Sequence, residues 1–464
     1  MDFPVFHLDF LGNRLLIGVI AVVHVLINHG LAVGAIPLIA ALEALGHARR
    51  DPALDHLAHR MLFACFLITT TLGALTGVGI WLSTSLVNPM AIGSLIRVFF
   101  WAWFTEWLVF VTEVILLLTW YLSWGRMQGA RKRLHIGIGF ALAAASWATM
   151  AIIVAILGFM MDSGSWLDLQ GLLRGVFNPI YLPQLAFRTP AAMVLAGLFA
   201  LFMTLALTER GGALRAQATR VVSGWVLAWT PPLVAAALWY RAVVPESQVG
   251  NLPVALLTQA FAQWYRELLW AIAGAGIVLV ALAAWGLLLP RRLPRFALVL
   301  PALLSLWLIG SFERVREFVR KPDVIEGYLY ANGYRHGDYP LLQRDGLLAW
   351  ASYVPFRTIT PENEREAGRQ VFRLACTRCH TTTGINGVEA KLAALYGPPP
   401  WNADTIDAYL RGMHLTRTFM PPFPGSEAER RALALWLSGL PSEPGRLQGD
   451  QRAGVPLPDP GARP

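Results

Sequence analysis

Cys376-Thr377-Arg378-Cys379-His380 places two thiols three positions apart and an imidazole directly after the second. In that spacing both thiols can join the vinyl groups of one haem as thioethers while the imidazole takes an axial position on the iron. Paired cysteines serve two other chemistries. A redox dithiol wants a strand-helix-strand context, a zinc half-site wants two more ligands nearby, and neither is visible here. There are three cysteines in all; Cys65 stands alone, which rules out a disulfide framework.

A second group of residues matters because of its surroundings. His24 and His29, Glu106 and Glu113, and the cluster Glu313, Arg314, Arg316, Glu317 and Arg320 lie within long apolar runs or at the end of one. Ionisable groups in hydrocarbon are costly and are functional candidates by default. His24 and His29 are five residues apart, about 140° around a helix, so they face different neighbours. Glu106 and Glu113, spaced i,i+7, share a face about 10 Å apart. A buried haem needs an axial donor, charge compensation and aromatic packing. His29 reads either as an axial ligand of a second b haem or as a packing or proton-relay histidine.

The elements that must position these residues are membrane helices. With 55% hydrophobic and 14% charged residues, the chain is too apolar for an ordinary soluble enzyme of 464 residues. A spanning helix needs about 20 apolar residues. About eight runs qualify, near 15–45, 61–87, 98–124, 135–161, 189–208, 221–244, 265–289 and 296–312; seven or nine are the alternatives. The moderately apolar stretch 161–188 reads as an interfacial loop, because Asp162, Asp168, Pro179 and Pro183 oppose a mid-membrane helix. The expected fold is all-α: a polytopic membrane helix bundle followed by a small all-α domain.

Arginines set the expected orientation, since basic loops stay cytoplasmic. Alternate connections carry Arg49, Arg50 and Arg60; Arg126, Arg131, Lys132 and Arg133; Arg210, Arg215 and Arg220; and Arg291, Arg292 and Arg295. The N-terminus and the C-terminal domain are then both periplasmic in a bacterial inner membrane. His24, Glu106 and the end of the eighth helix fall in the outer leaflet. This bias accounts for much of the net +9 without a nucleic-acid partner. The N-terminus has no basic region or cleavage site of a signal peptide, so the first helix is expected to target the chain uncleaved.

The expected domains are 1–321 in the membrane, a periplasmic connector at 322–359, a domain at 360–442, and a Pro-, Gly- and Arg-rich disordered tail at 443–464. The third of these resembles a small class I cytochrome c. Helical residues from Asn363 to Ala375 lead into the Cys-x-x-Cys-His motif. Met420-Pro421-Pro422-Phe423 then precedes a Trp-containing helix from Ser426 to Gly439, with Glu429 at the capping-box position. The resemblance implies Met420 as the sixth iron ligand, with Met413 or His414 as alternatives. A His/Met pair fills both axial sites and suits electron transfer.

The membrane part resembles subunit I of the cytochrome bd quinol oxidases. Four segments carry the likeness: His24 in a first helix ending at Glu43; Leu72-Gly73-Ala74-Leu75-Thr76-Gly77; Glu106 with Glu113; and Arg316-Glu317-Phe318-Val319-Arg320-Lys321-Pro322. It implies that His24, Glu106 and Glu113 lie at the oxygen-reducing haem and its proton path, and that Glu317 ligates a neighbouring high-spin b haem. The family's low-spin haem ligands are missing: the matching stretches read Phe187-Arg188-Thr189-Pro190-Ala191 and Tyr265-Arg266-Glu267-Leu268. The quinol loop is short and the ninth helix absent, so the fused haem c becomes the expected electron port.

The expected function is a membrane-bound respiratory oxidoreductase. It would pass electrons between one covalent haem c and two non-covalent haems of b or d type, where a small molecule such as O₂ or NO could be reduced. Glu106 and Glu113 would carry protons, and His24, His29 and Glu317 would hold the buried irons. The alternative is a non-catalytic electron conduit of a larger respiratory complex; a haem-based sensor lacks any signalling motif. Expected partners are a periplasmic electron-transfer protein or soluble cytochrome, and a second membrane subunit or further copies of the chain.

Overall fold

The computed structural model describes residues 4–440, so the expected tail at 443–464 lies outside the described residues. The chain divides into two compact units. One comprises Ile20–Ile80 and Leu95–Val319; the other comprises Met1–Val19, Trp81–Ser94 and Arg320–Pro464.

Among the described residues, seven helices are long and apolar enough to cross a membrane: Asn13–Arg49, Pro52–Val87, Pro89–Ser123, Gly129–Met161, Tyr181–Leu207, Ala213–Val243 and Gln259–Leu288. In hydrocarbon every backbone donor must be satisfied within the segment, which makes helix the only solution for such runs. Local signals set the ends. Asp51 accepts from the Ala53 and Leu54 amides at 3.1 Å, and Pro52 follows it at the first helical position. The eighth expected run also forms a helix, Leu300–Val319, but Glu313, Arg314, Arg316 and Glu317 in its last two turns make it less apolar than the seven. The fifth span starts at Tyr181, earlier than the sequence suggests. Pro183 lies in its first turn, where the missing amide hydrogen had no intrahelical acceptor. Two short helices, Trp166–Leu169 and Leu172–Val176, occupy the expected interfacial loop.

Two membrane helices are locally widened. Asn28–Val33 in the first span and Thr69–Gly73 in the second are π-helical, an irregularity frequent at functional sites. The core of this unit gathers Leu38, Leu42, Leu57, Met61, Trp120 and Leu201. The first and fifth spans touch through Gly34, where a Cβ would lie 2.1 Å from the Ala192 carbonyl oxygen.

The other unit is built on helices Glu364–Ala375, Val388–Tyr396, Ala403–Thr416 and Glu427–Ser438. The first and last cross closely at Gly368, where a Cβ would sit 2.0 Å from the Ala432 carbonyl oxygen, and Phe372 packs on Trp436 at 5.0 Å. Ser426 and Glu429 form the expected capping box. Glu429 also accepts from the Leu347 and Leu348 amides at 2.8 and 2.7 Å. Leu342, Leu347 and Leu348 share one buried core with Phe372 and Trp436, so the stretch read as a connector is packed into this unit.

Candidate functional site

The Cys-x-x-Cys-His loop begins where helix Glu364–Ala375 ends. Cys376 is its C-cap, and the Cys379 and His380 amides both donate to the Cys376 carbonyl, at 3.0 and 2.9 Å. His380 Nδ1 faces the Asn386 carbonyl at 3.3 Å, and Asn386 Nδ2 donates to the Cys379 carbonyl at 2.6 Å. With Nδ1 carrying the hydrogen, Nε2 keeps the lone pair an iron needs. Burial, together with the Lys391 ammonium, pushes the imidazole down to about 4, so the ring is neutral at physiological pH. Two thiols and an oriented neutral imidazole on one tight loop fit a covalent haem.

The Met420-Pro421-Pro422-Phe423 loop is held by two side chains of the preceding stretch. Tyr339 Oη donates to the Pro422 carbonyl at 3.1 Å and Gln343 Nε2 to the Phe423 carbonyl at 3.2 Å. Met420 stands half-buried at the margin of the core, whereas Met413 is buried within it and His414 is half-buried. The N-terminal segment was not anticipated as a support. Asp9 accepts from the Thr382 amide at 2.7 Å and from its hydroxyl, and Asn13 Nδ2 donates to the Thr377 carbonyl at 3.2 Å. Burial alone would raise the Asp9 carboxyl, but hydrogen bonds from His7 and Thr382 hold it below the usual range.

In the membrane unit His24 repeats the orientation of His380. The Thr76 hydroxyl donates to the Leu72 carbonyl at 2.6 Å, so its oxygen accepts from His24 Nδ1 at 3.2 Å and Nε2 keeps its lone pair. Gly77 leaves room beside the ring, since a Cβ there would stand 3.3 Å from His24 Cε1. His29 lies in the π-helical segment and faces elsewhere, as the helix angle requires. Its Nε2 accepts from Arg188 Nη1 at 3.0 Å. Arg188 Nη2 donates to Glu313 Oε1 at 2.9 Å, and Arg316 Nε to Glu313 Oε2 at 2.8 Å. Arg188 and Glu313 are only 2% and 4% exposed, which makes this a buried ionic cluster beneath Phe312 and Phe187. Its members come from the first span, the fifth span and Leu300–Val319.

Glu113 is held by two hydroxyls of the fourth span: Ser146 Oγ donates to Oε2 at 2.9 Å and Thr149 Oγ1 to Oε1. Glu106, one heptad earlier, is half-buried and makes no hydrogen bond among the described residues. Glu317 is half-buried on Leu300–Val319.

A further buried cluster was missed by sequence reasoning. Glu43 Oε1 meets His135 Nδ1 at 2.5 Å and Lys132 Nζ at 2.7 Å, and Lys132 Nζ meets Asp55 Oδ1 at 2.7 Å. Trp120 Nε1 donates to Glu43 Oε2 at 3.0 Å, and His135 Nε2 faces the Trp120 carbonyl at 2.8 Å. The His135 ring thus bridges the Glu43 carboxyl and the Trp120 carbonyl. Trp120 follows Glu113 at i+7, the one sequence signal that this face continues.

Comparison with known proteins divides along the same line. Residues 363–437 match the family model described as Cytochrome C oxidase, cbb3-type, subunit III. The solved structure of bd oxidase from Geobacillus thermodenitrificans has a similar fold. The TM-score is 0.55 at 16% identity, over 69% of this chain and 90% of that one. No curated protein matches the chain. The chain is therefore a membrane protein that joins a bd-oxidase-like helical fold to a C-terminal cytochrome c domain, which implies a covalent haem c and electron transfer.

Proposed function

We propose that this chain is a membrane-bound respiratory oxidoreductase in which a haem c exchanges electrons with haems of b or d type held in the membrane unit. The observation that carries the reading is the shared orientation of two histidines. His380 and His24 each engage Nδ1 with an oxygen acceptor and leave Nε2 for an iron. Cys376 and Cys379 would anchor the haem c, with His380 and Met420 as its axial ligands. His24 would ligate a buried haem and Glu317 a neighbouring one. His29 would serve a second iron only after its bond to Arg188 opens. Haem supplies one-electron exchange and, where an axial position stays open, a place for a small molecule such as O₂ or NO.

The protein's own contribution is orientation and proton supply. Glu113, fixed by Ser146 and Thr149, is placed to hold a proton at Oε1 or Oε2, and Glu106 one heptad away is the next group on that helix face. The excess of arginine in alternate connections supports a periplasmic cytochrome c domain, where a soluble cytochrome or similar carrier could reach it. Carbon monoxide tests the reading against that of a passive conduit. A difference spectrum on adding CO to the dithionite-reduced protein is the expected result; its absence would make every haem six-coordinate and leave a conduit.

A further inference from the structure

Three membrane helices end around one pocket on the side of the membrane unit that carries the arginine-rich connections. Leu205 belongs to the last turn of Tyr181–Leu207, Arg210 and Gly212 to the short connection, Arg215 to the first turn of Ala213–Val243, and Arg291 and Leu293 to the stretch after Gln259–Leu288; all six line the pocket. Its chemistry is one-sided. Arg215 Nη1 makes a long bond of 3.4 Å to the Thr208 carbonyl, and among the described residues no carboxylate pairs with Arg210, Arg215 or Arg291.

The backbone adds to the same field. Gly211 holds φ +75, a conformation that favours glycine, and so turns the chain into the 31-residue helix Ala213–Val243. That helix has no side-chain cap and no acidic residue in its first turn, so its leading amide hydrogens add positive potential at the pocket. Leucines 205 and 293 supply apolar wall beside the guanidinium groups. Cations at the rim and leucine on the wall, at the level where apolar helices stop, suit a molecule with a phosphate at one end and acyl chain at the other.

We infer that this pocket binds the phosphate of an anionic membrane phospholipid. Three guanidinium groups outnumber the one carboxylate of the same connection, Glu209, which pairs with none of them among the described residues, and so favour a headgroup of net negative charge over a zwitterionic one. Inorganic phosphate shares the anionic chemistry but cannot use the leucine wall.

The test uses the full-length protein in a neutral detergent and follows its melting with short-chain phosphatidylglycerol, short-chain phosphatidylcholine or inorganic phosphate. Phosphatidylglycerol should raise the midpoint by about 3 °C, with the other two near zero. The triple variant Arg210→Gln, Arg215→Gln, Arg291→Gln should lose the shift. Should that variant fail to fold, Arg210→Gln alone removes only an exposed side chain and should weaken the response about tenfold. An equal shift with phosphatidylcholine, a full shift with phosphate alone, or an undiminished shift in Arg210→Gln would each overturn the assignment.

Discussion

His29 Nε2 and Arg188 Nη1 lie 3.0 Å apart, and the same guanidinium reaches Glu313 with its other nitrogen. Arg188 thereby ties the first span, the fifth span and Leu300–Val319 into one buried ionic cluster. Breaking a buried pair leaves an uncompensated charge, and Arg188→Ala should destabilise the membrane unit by about 3–5 kcal/mol. Thermal melting of the purified variant checks this. His29→Ala should lower the b-haem absorbance; an unchanged spectrum would assign His29 to the ionic cluster alone.

The proposed function makes His24 a haem ligand and Glu113 a proton carrier, and substitutions separate the two roles. His24→Ala should remove a b- or d-type haem from the reduced spectrum, and Thr76→Val, which takes away the acceptor for Nδ1, should keep the haem with altered absorbance. Glu113→Gln should leave the spectrum intact and slow turnover by about 10². Glu317→Ala should perturb a high-spin band. Loss of haem in Glu113→Gln would contradict the division of roles.

In the cytochrome c domain, Cys376→Ala with Cys379→Ala should abolish peroxidase staining of the denatured chain, because no thioether would remain. Met420→Ala should keep the stain and lower the redox potential of the haem c. A potential unmoved by Met420→Ala would transfer the sixth ligand to Met413 or His414.

The cytochrome c fold and most membrane spans were legible because their signals are local: a five-residue motif, a capping box at Ser426 and Glu429, and apolar runs of spanning length. The clusters were not. Arg188 meets Glu313 across 125 positions and His135 meets Glu43 across 92. No periodicity encodes such pairings; only the packed bundle brings them together. The π-helical segment around His29 was equally hidden, since its residues Asn28-His29-Gly30-Leu31-Ala32-Val33 carry no helix-breaking proline. Asp9 escaped notice because an acidic residue near a chain start ordinarily faces solvent.

Asp9 gives the N-terminal segment a defined pH dependence. Its carboxyl is held below the ordinary value of about 3.9 in the folded protein, so its stabilisation is present in full above that value. It is lost as pH falls through the lower folded value. Hydrogen exchange at the Thr382 amide should therefore stay protected at neutral pH and quicken in strong acid. Asp9→Asn should expose that amide at neutral pH; protection retained there would remove Asp9 from the support of the haem loop.

The central claim is that one chain carries both a covalent haem c and non-covalent haems in its membrane unit. A pyridine haemochrome assay on the purified full-length protein, before and after acid-acetone extraction, measures it most directly. The account predicts one haem c that stays with the polypeptide and about two extractable haems of b or d type. A single haem per chain, all of it covalent, would contradict the account and leave a membrane-anchored cytochrome c.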